Sequence, residues 1–141
     1  MADARTRTPG ATKAPAETPE AAIRAVLDAQ VAAWNRGDID AFMEGYERSD
    51  ATRFASGDTV SRGWQTVHDH YKKSYDTPEK MGKLTFSDLE ITTLSRDAAI
   101  AFGHWRLDRA GDTPHGLFTL LFRKTKAGWR IAADHTSAGA S

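Results

Sequence analysis

The sequence predicts an α+β domain in which a curved antiparallel sheet wraps three N-terminal helices. Apolar residues recur at helical spacing in the first half of the chain, with two short strand-like segments between the helices. From residue 82 onward the spacing changes, and apolar residues alternate with polar ones over several consecutive segments. Helices followed by an antiparallel run of strands indicate an α+β architecture, because an amphipathic sheet must cover its apolar face with the helices.

The composition limits the class of protein. The 141 residues suffice for one domain, and 19 basic residues balance 19 acidic ones. This balance gives no reason to expect a nucleic acid or a membrane as a partner. The absence of cysteine excludes disulfide bonds and thiol catalysis, and no apolar stretch matches a membrane span or a signal peptide. We therefore expect a cytoplasmic protein.

The first 17 residues differ in composition from the rest of the chain. They are rich in Ala, Thr and Pro and contain almost no large apolar side chains. Such a segment buries too little surface to offset its ordering entropy, so we expect a flexible tail. The alternative is an ordered arm that docks on a partner subunit. The domain itself is expected at residues 18–138, followed by a short C-terminal tail at 139–141.

Three helices are predicted before residue 80. Thr18 can cap the first helix and Pro19 suits its first position, while Gly37 ends it. Asp38 caps a short second helix, and a third is expected from about residue 64 to 75. One face of the first helix carries Ile23, Val26, Leu27, Gln30, Val31 and Trp34.

Strands are predicted between the helices and after them. The segment "ATRFASGDTVSRG" contains two short strand candidates around a turn at Gly57. The segment "GKLTFSDLEITTL" then alternates, but its parity changes between Phe86 and Leu89. This change predicts a bulge or bend near Ser87-Asp88.

Three more strands complete the predicted sheet, at about residues 98–109, 115–124 and 128–137. Short turns between them predict a register in which Trp105 lies opposite Phe118, and Phe118 opposite His135. Side chains alternate along a strand, so this row faces the helices and the neighbouring row faces outward.

The outer face of this predicted sheet mixes apolar and charged residues. A monomer would leave its apolar residues in water, which favours a homodimer packed sheet on sheet. His104 and Asp134 lie in the same row, where a hydrogen bond at the dimer interface is a simpler interpretation than a charge-relay fragment. The residues expected at the interface are Phe102, His104, Leu117, Thr119, Leu121 and Asp134.

The inner face is expected to enclose a small apolar pocket. His135 is the one ionisable residue in its predicted row, so it is the candidate general acid or base. The alternative is a neutral histidine that is hydrogen-bonded within the core. Tyrosines could supply an oxyanion-type donor or simply bury their rings. The residues expected to line the pocket together with His135 are Trp34, Tyr46, Phe54, Tyr71, Trp105 and Phe118.

No pattern in the sequence points to a metal or another cofactor. His68 and His70 are two positions apart on a predicted helix and therefore point to different sides. There is no phosphate-binding glycine loop and no dinucleotide fingerprint. We expect neither a metal nor a cofactor.

Three segments resemble SnoaL-like domains of the nuclear-transport-factor-2-like superfamily. They are "VAAWNRGDIDAF", "FASGDTVSRGWQTVHDHY" and "GLFTLLFRKTKAGWRIAADHTSAG", in the family's order. The resemblance covers about residues 20 to 138, and the last segment is the most specific. The pattern is also similar to the association domain of calcium/calmodulin-dependent kinase.

The resemblance implies a cone-shaped fold and a dimer. Members of the superfamily include ketosteroid isomerases, polyketide cyclases and dehydratases, and also modules without catalysis. Related cyclases and isomerases use an aspartate base in a largely apolar cone. No aspartate lies on the inner face in the predicted register, so His135 is the best substitute for that base.

Two functions are therefore expected as alternatives. In the first, the pocket binds a small apolar, polyketide-like or steroid-like carbonyl compound, and His135 moves a proton in an isomerase, cyclase or dehydratase reaction without a cofactor. In the second, the chain is a non-catalytic dimerisation or association domain. The first requires that turnover depend on His135, whereas the second predicts binding without turnover.

Overall fold

A computed structural model describes residues 18–139, which form four helices and a sheet. The helices are α1 (Pro19–Asn35), α2 (Ile39–Met43), α3 (Trp64–Ser74) and α4 (Pro78–Met81). The first three were predicted, whereas the short α4 was not. The predicted flexible tail at residues 1–17 lies outside the described residues, as do residues 140 and 141.

The helix starts follow the capping residues in the sequence. The Thr18 hydroxyl accepts a hydrogen bond from the Ala21 amide at 3.1 Å, and Pro19 occupies the first turn of α1. The Asp38 carboxylate accepts from the Ala41 amide at 2.9 Å and so begins α2 directly after α1. No helix among the described residues is long and apolar enough to cross a membrane.

The sheet has six strands in the order β2-β1-β6-β5-β4-β3. The strands are β1 (Arg53–Ser56), β2 (Thr59–Arg62), β3 (Lys83–Ser95), β4 (Ala98–Asp108), β5 (His115–Thr125) and β6 (Gly128–Thr136). Strands β3 to β6 form an antiparallel meander, and β1 joins it in parallel with β6. The sheet is curved and remains open. The architecture confirms the predicted α+β class.

The bulge predicted in β3 is present. Pairing between β3 and β4 shifts between Ser87 and Glu90, and Asp88 has a positive φ of 54°. A residue with positive φ in a strand marks a local break in the ladder, which bends the strand.

The β4–β5 pairing is displaced by two positions from the predicted register. Phe118 lies opposite Gly103 rather than Trp105, because the hairpin closes with the Arg109 amide bonded to the Asp112 carbonyl at 3.1 Å. An even displacement leaves every side chain on its predicted face. Trp105 and Phe118 therefore still point toward the helices.

The β5–β6 pairing overturns the predicted placement of two residues. Next to the turn the register is the predicted one, and Phe122 pairs with Ile131. The next pair is Leu121 with Ala133, so Ala132 is an extra residue on β6 that has no partner in β5. Beyond this bulge the parity reverses. Asp134 is buried on the inner face, and His135 is exposed on the outer face. The predicted inward His135 and outward Asp134 were wrong.

The core lies between α1, α2, α3 and the inner face of the sheet. From α1 it takes Ile23, Leu27 and Trp34, which recur at the helical spacing seen in the sequence. From β5 it takes alternate residues such as Phe118 and Phe122. At one end of this core the packing leaves a space.

Candidate functional site

A cavity of about 100 Å³ lies between the helices and the inner face of the sheet. Its wall is mainly aromatic and aliphatic, and it contains six of the seven residues that were predicted to line a pocket. These are Trp34 from α1, Tyr46 after α2, Phe54 from β1, Tyr71 from α3, Trp105 from β4 and Phe118 from β5. His135 is not among the lining residues.

The mouth of the cavity is formed by half-buried side chains. Phe54, His70, Tyr75, Phe86 and Trp105 line the cavity and are partly exposed, whereas the deeper wall is buried. Solvent and small molecules can therefore reach the cavity through this aromatic rim.

Asp134 is the carboxyl group of the cavity wall, and sequence analysis missed it. Its side chain is buried, and both carboxylate oxygens accept a hydrogen bond. The Tyr46 hydroxyl donates to Oδ2 at 2.6 Å and the Thr136 hydroxyl donates to Oδ1 at 2.6 Å. Hydrogen bonds to an ionised acceptor are short and strong, which agrees with these distances.

A second tyrosine extends this arrangement. The Tyr71 hydroxyl lies 3.2 Å from the Tyr46 hydroxyl, and both side chains are buried in the cavity wall. We refer to Asp134, Tyr46 and Tyr71 as the tyrosine relay. It links a carboxyl group to two phenol groups within a mainly apolar space.

Burial sets the proton affinities of the relay. Burial raises the pKa of Asp134 to about 6, although the hydrogen bonds from Thr136 and Tyr46 and the charge of His135 act to lower it. Burial, followed by the charge of Asp134, raises the pKa of both Tyr46 and Tyr71 well above the usual value of a phenol. The phenols therefore stay protonated, and Asp134 is the relay member that titrates near neutral pH.

The backbone around the relay explains how these groups meet. Tyr46 pairs with Ile131 in an isolated bridge, where the Glu47 amide donates to the Ile131 carbonyl at 2.8 Å. Further along the same edge of β6, Phe54 pairs with Asp134. The segment after α2 and strand β1 thus hold the end of β6 in place.

The aromatic wall is closely packed. The Trp34 ring meets Phe42 and Tyr75 edge to face, at centroid distances of 5.0 and 4.9 Å. The indole nitrogen of Trp34 donates to the Met81 carbonyl at 3.0 Å, which holds the ring at a fixed angle. Edge-to-face contacts of this kind stabilise a particular arrangement beyond their buried area.

The histidines considered in the sequence do not hydrogen-bond to the relay, although the His70 ring lies 5.8 Å from the Tyr71 ring. His104 is on the outer face, with Nε2 at 3.8 Å from Asp88, so it cannot pair with the buried Asp134. His68 contacts Asp40 at 2.7 Å on the surface of the helices, whereas the His70 ring lies 5.4 Å from the Phe54 ring, in a tilted arrangement at the cavity mouth. Within residues 18–139, no group of three or more His, Cys, Asp and Glu side chains could hold a metal ion.

Comparison with known proteins identifies the family. The family model described as SnoaL-like domain matches residues 23–141. The chain belongs to the SnoaL-like family. A crystal structure of an NTF-2 like protein of unknown function from Shewanella oneidensis is 41% identical and has a TM-score of 0.81, over 85% of this SnoaL-like chain and 99% of that chain. No curated protein matches the chain.

More distant structures share the fold of this SnoaL-like protein. A ketosteroid isomerase-like protein from Erwinia carotovora atroseptica is 22% identical with a TM-score of 0.69, over 86% of this chain and 96% of that one. A domain of unknown function with a cystatin-like fold from Nostoc punctiforme is 22% identical with a TM-score of 0.73, over 87% of this chain and 78% of that one. Identities this low establish a common fold only.

Proposed function

We propose that this SnoaL-like protein binds a small, mainly apolar molecule that bears a carbonyl or hydroxyl oxygen, and that Asp134 exchanges a proton with it. The observation that carries the proposal is a buried carboxyl group beside two phenols in an apolar cavity. A concave apolar site with a few convergent polar groups is the usual form of a small-molecule site. Membership of the SnoaL-like family agrees with a ligand-binding domain.

The size of the cavity restricts the ligand. An engineered cavity of about 150 Å³ holds a benzene molecule, and this cavity has about 100 Å³. This space is smaller than the one that holds benzene, so a short branched chain fits within it and a single ring extends to the half-buried rim residues Phe86 and Trp105. A four-ring steroid exceeds it. We favour a small carbonyl or hydroxyl compound over a steroid-like one.

The chemistry follows from the protonation of Asp134. With a pKa of about 6, most of the carboxyl groups are ionised at neutral pH, and the group can both accept and return a proton. Keto–enol interconversion needs such a group near an oxygen-bearing ligand, and it is the proton-transfer step shared by isomerisation, cyclisation and dehydration next to a carbonyl. Asp134 thus takes the role that was predicted for His135.

The experiment combines binding with turnover. Native mass spectrometry of the full-length protein as purified, followed by denaturation, identifies any copurified molecule. Ketonisation of acetylacetone, followed by its ultraviolet absorbance, then measures proton transfer. We expect the wild type to accelerate the reaction and Asp134→Asn to lose about 10²- to 10⁴-fold in rate, the usual contribution of a general acid–base.

The matched control is Asp58→Asn, which changes an aspartate in the exposed turn between β1 and β2. It should keep the wild-type rate. Equal rates for the wild type and Asp134→Asn would contradict the catalytic part of the proposal, and a cavity that binds no small carbonyl or hydroxyl compound would contradict it entirely.

A specific observation also favours the alternative of a dimerisation domain. The outer face of β4 and β5 leaves Leu117 40% exposed, with Phe102 and Leu121 half-buried beside it. Of the six residues expected at this interface, five lie on the outer face, and only Asp134 does not. Dimerisation is compatible with a ligand site, because the two use opposite faces of the sheet.

A further inference from the structure

The tyrosine relay has a direction that depends on its protons. Each tyrosine hydroxyl has one hydrogen to donate, and an ionised carboxylate can only accept. When Asp134 is ionised, the single hydrogen of Tyr46 is donated to Oδ2 at 2.6 Å. The remaining contact, at 3.2 Å between the two hydroxyls, must then be donated by Tyr71.

This direction determines what Tyr71 can offer to the cavity. Its hydrogen is engaged by Tyr46, so only lone pairs of its oxygen remain for a ligand. A ligand hydroxyl can donate to this oxygen and add a link to a run of hydrogen bonds that all point toward the carboxylate. Hydrogen bonds aligned in this way strengthen one another. A carbonyl ligand gains a bond from Tyr71 only if the Tyr71–Tyr46 bond is given up.

Protonation of Asp134 removes this constraint. A protonated carboxyl can donate from Oδ2 to Tyr46, which frees the Tyr46 hydrogen for Tyr71 and the Tyr71 hydrogen for the cavity. A carbonyl oxygen can then be bound without the loss of a hydrogen bond. A hydroxyl ligand is still accepted, because the proton can instead reside on Oδ1, facing Thr136.

From this geometry we infer that the cavity selects hydroxyl-bearing ligands while Asp134 is ionised and admits carbonyl-bearing ligands once Asp134 is protonated. The inference rests on the proposed function, since it needs a ligand in the cavity beside Tyr71. It specifies the ligand class at neutral pH as small alcohols, phenols and enols. Tyr71 would thus accept a hydrogen bond from an enol when Asp134 is ionised, and donate one to the corresponding ketone when Asp134 is protonated.

Other titratable groups around Asp134 must be separated from this effect. His70 from α3 and Tyr75 directly after α3 line the cavity together with Tyr71, and on β6 itself His135 is adjacent to Asp134. The residues that α1, β1, β3, β4 and β5 contribute to the cavity wall are uncharged: Gln30, Trp34, Phe54, Leu84, Phe86, Trp105, Leu107, Phe118 and Leu120. His70 and His135 are therefore the two histidines that the experiment must control for.

The experiment measures the dissociation constants of phenol and cyclohexanone for the full-length protein by NMR titration, at about pH 4.5 and about pH 7.5, on either side of the Asp134 transition. Both probes are single rings, and phenol is neutral throughout this range. One hydrogen bond that is kept or lost changes affinity by about tenfold. The ratio of the cyclohexanone constant to the phenol constant should therefore fall about tenfold on acidification.

Variants of the tyrosine relay test whether the relay causes the pH dependence of this ratio. Tyr46→Phe interrupts the relay and should reduce the pH response of the ratio to less than about twofold. Tyr71→Phe removes its last hydroxyl and should do the same, so the test survives if one variant fails to fold. His70→Gln and His135→Gln should retain the full response.

The outcomes separate this inference from the proposed function. If both probes bind the wild type with a ratio that does not change with pH, the relay does not select the ligand and the inference is overturned, while the ligand site stands. A response that is lost in His70→Gln or His135→Gln assigns it to that histidine and also overturns the inference. If neither probe binds at either pH, both the inference and the proposed function fall.

Discussion

The buried carboxyl group of Asp134, which the proposed site requires, lowers the stability of the fold. Burial raises its pKa from the ordinary value of 3.8 to about 6, so the folded protein holds the proton more tightly than the unfolded chain. Between the unfolded and the folded pKa of Asp134, the free energy of unfolding falls as pH rises. Above the folded pKa the protein has lost the full amount, on the order of 3 kcal/mol. This is a substantial part of the 5–15 kcal/mol that is typical of domains. A carboxyl group retained at such a position is consistent with a chemical role.

At this scale we expect Asp134→Asn to stabilise the protein at neutral pH. The amide has no charge to desolvate, and its oxygen still accepts from Tyr46 or Thr136. Urea unfolding should give a gain of about 1–3 kcal/mol at about pH 8 and no difference near pH 4, where the wild-type carboxyl is protonated. Asp58→Asn, in the exposed turn, should show no such pH-dependent difference. A variant that is less stable than the wild type at pH 8 would show that hydrogen bonding outweighs the charge penalty.

At the scale of the strand, two bulges show where sequence reasoning succeeds and where it fails. In β3 the break was predictable, because the large apolar side chains Phe86 and Leu89 change parity across it. In β6 the extra residue is Ala132, followed by Ala133, and two small apolar residues fit either face of a sheet. The alternation of residues along β6 therefore gave no sign of the bulge. Prediction from this alternation placed Asp134 on the wrong face.

Gly116, at the start of β5, gives a further expectation at the scale of the strand. A Cβ on Gly116 would collide with the carbonyl oxygen of Ser137, which accepts the Trp105 indole hydrogen bond at 2.9 Å. We expect Gly116→Ala to destabilise the fold by about 1–3 kcal/mol, as overpacked sites do. Gly111→Ala is the control, because a Cβ at that position would have no other atom within 4 Å. Denaturant unfolding of the two variants compares them, and equal stabilities would show that the Ser137 segment moves freely.

For the whole molecule, the residues that line the cavity were easier to predict than the hydrogen bonds among them. Trp34, Tyr71 and Phe118 lie on apolar faces whose periodicity is visible in the sequence, so their convergence followed from packing the helices on the sheet. The relay depends instead on distances between Tyr46, Tyr71 and Asp134, three residues from different parts of the chain. Such contacts are fixed by the bulge and by the bridge from Tyr46 to β6, neither of which has a periodic signal.

The outer surface gives the last expectation, which concerns assembly. We expect the full-length protein to be a dimer at micromolar concentration, with the outer faces of β4 and β5 in contact, because this face presents Leu117 and its apolar neighbours to water. Leu117→Arg would bury an unpaired charge at that contact and should weaken the dimer at least about a hundredfold. Val60→Arg changes an equally exposed apolar residue on the edge strand β2 and should leave the dimer intact. Light scattering coupled to size exclusion measures both. A monomeric wild type, or a dimer that Leu117→Arg does not affect, would place the partner elsewhere and leave the outer face without this role.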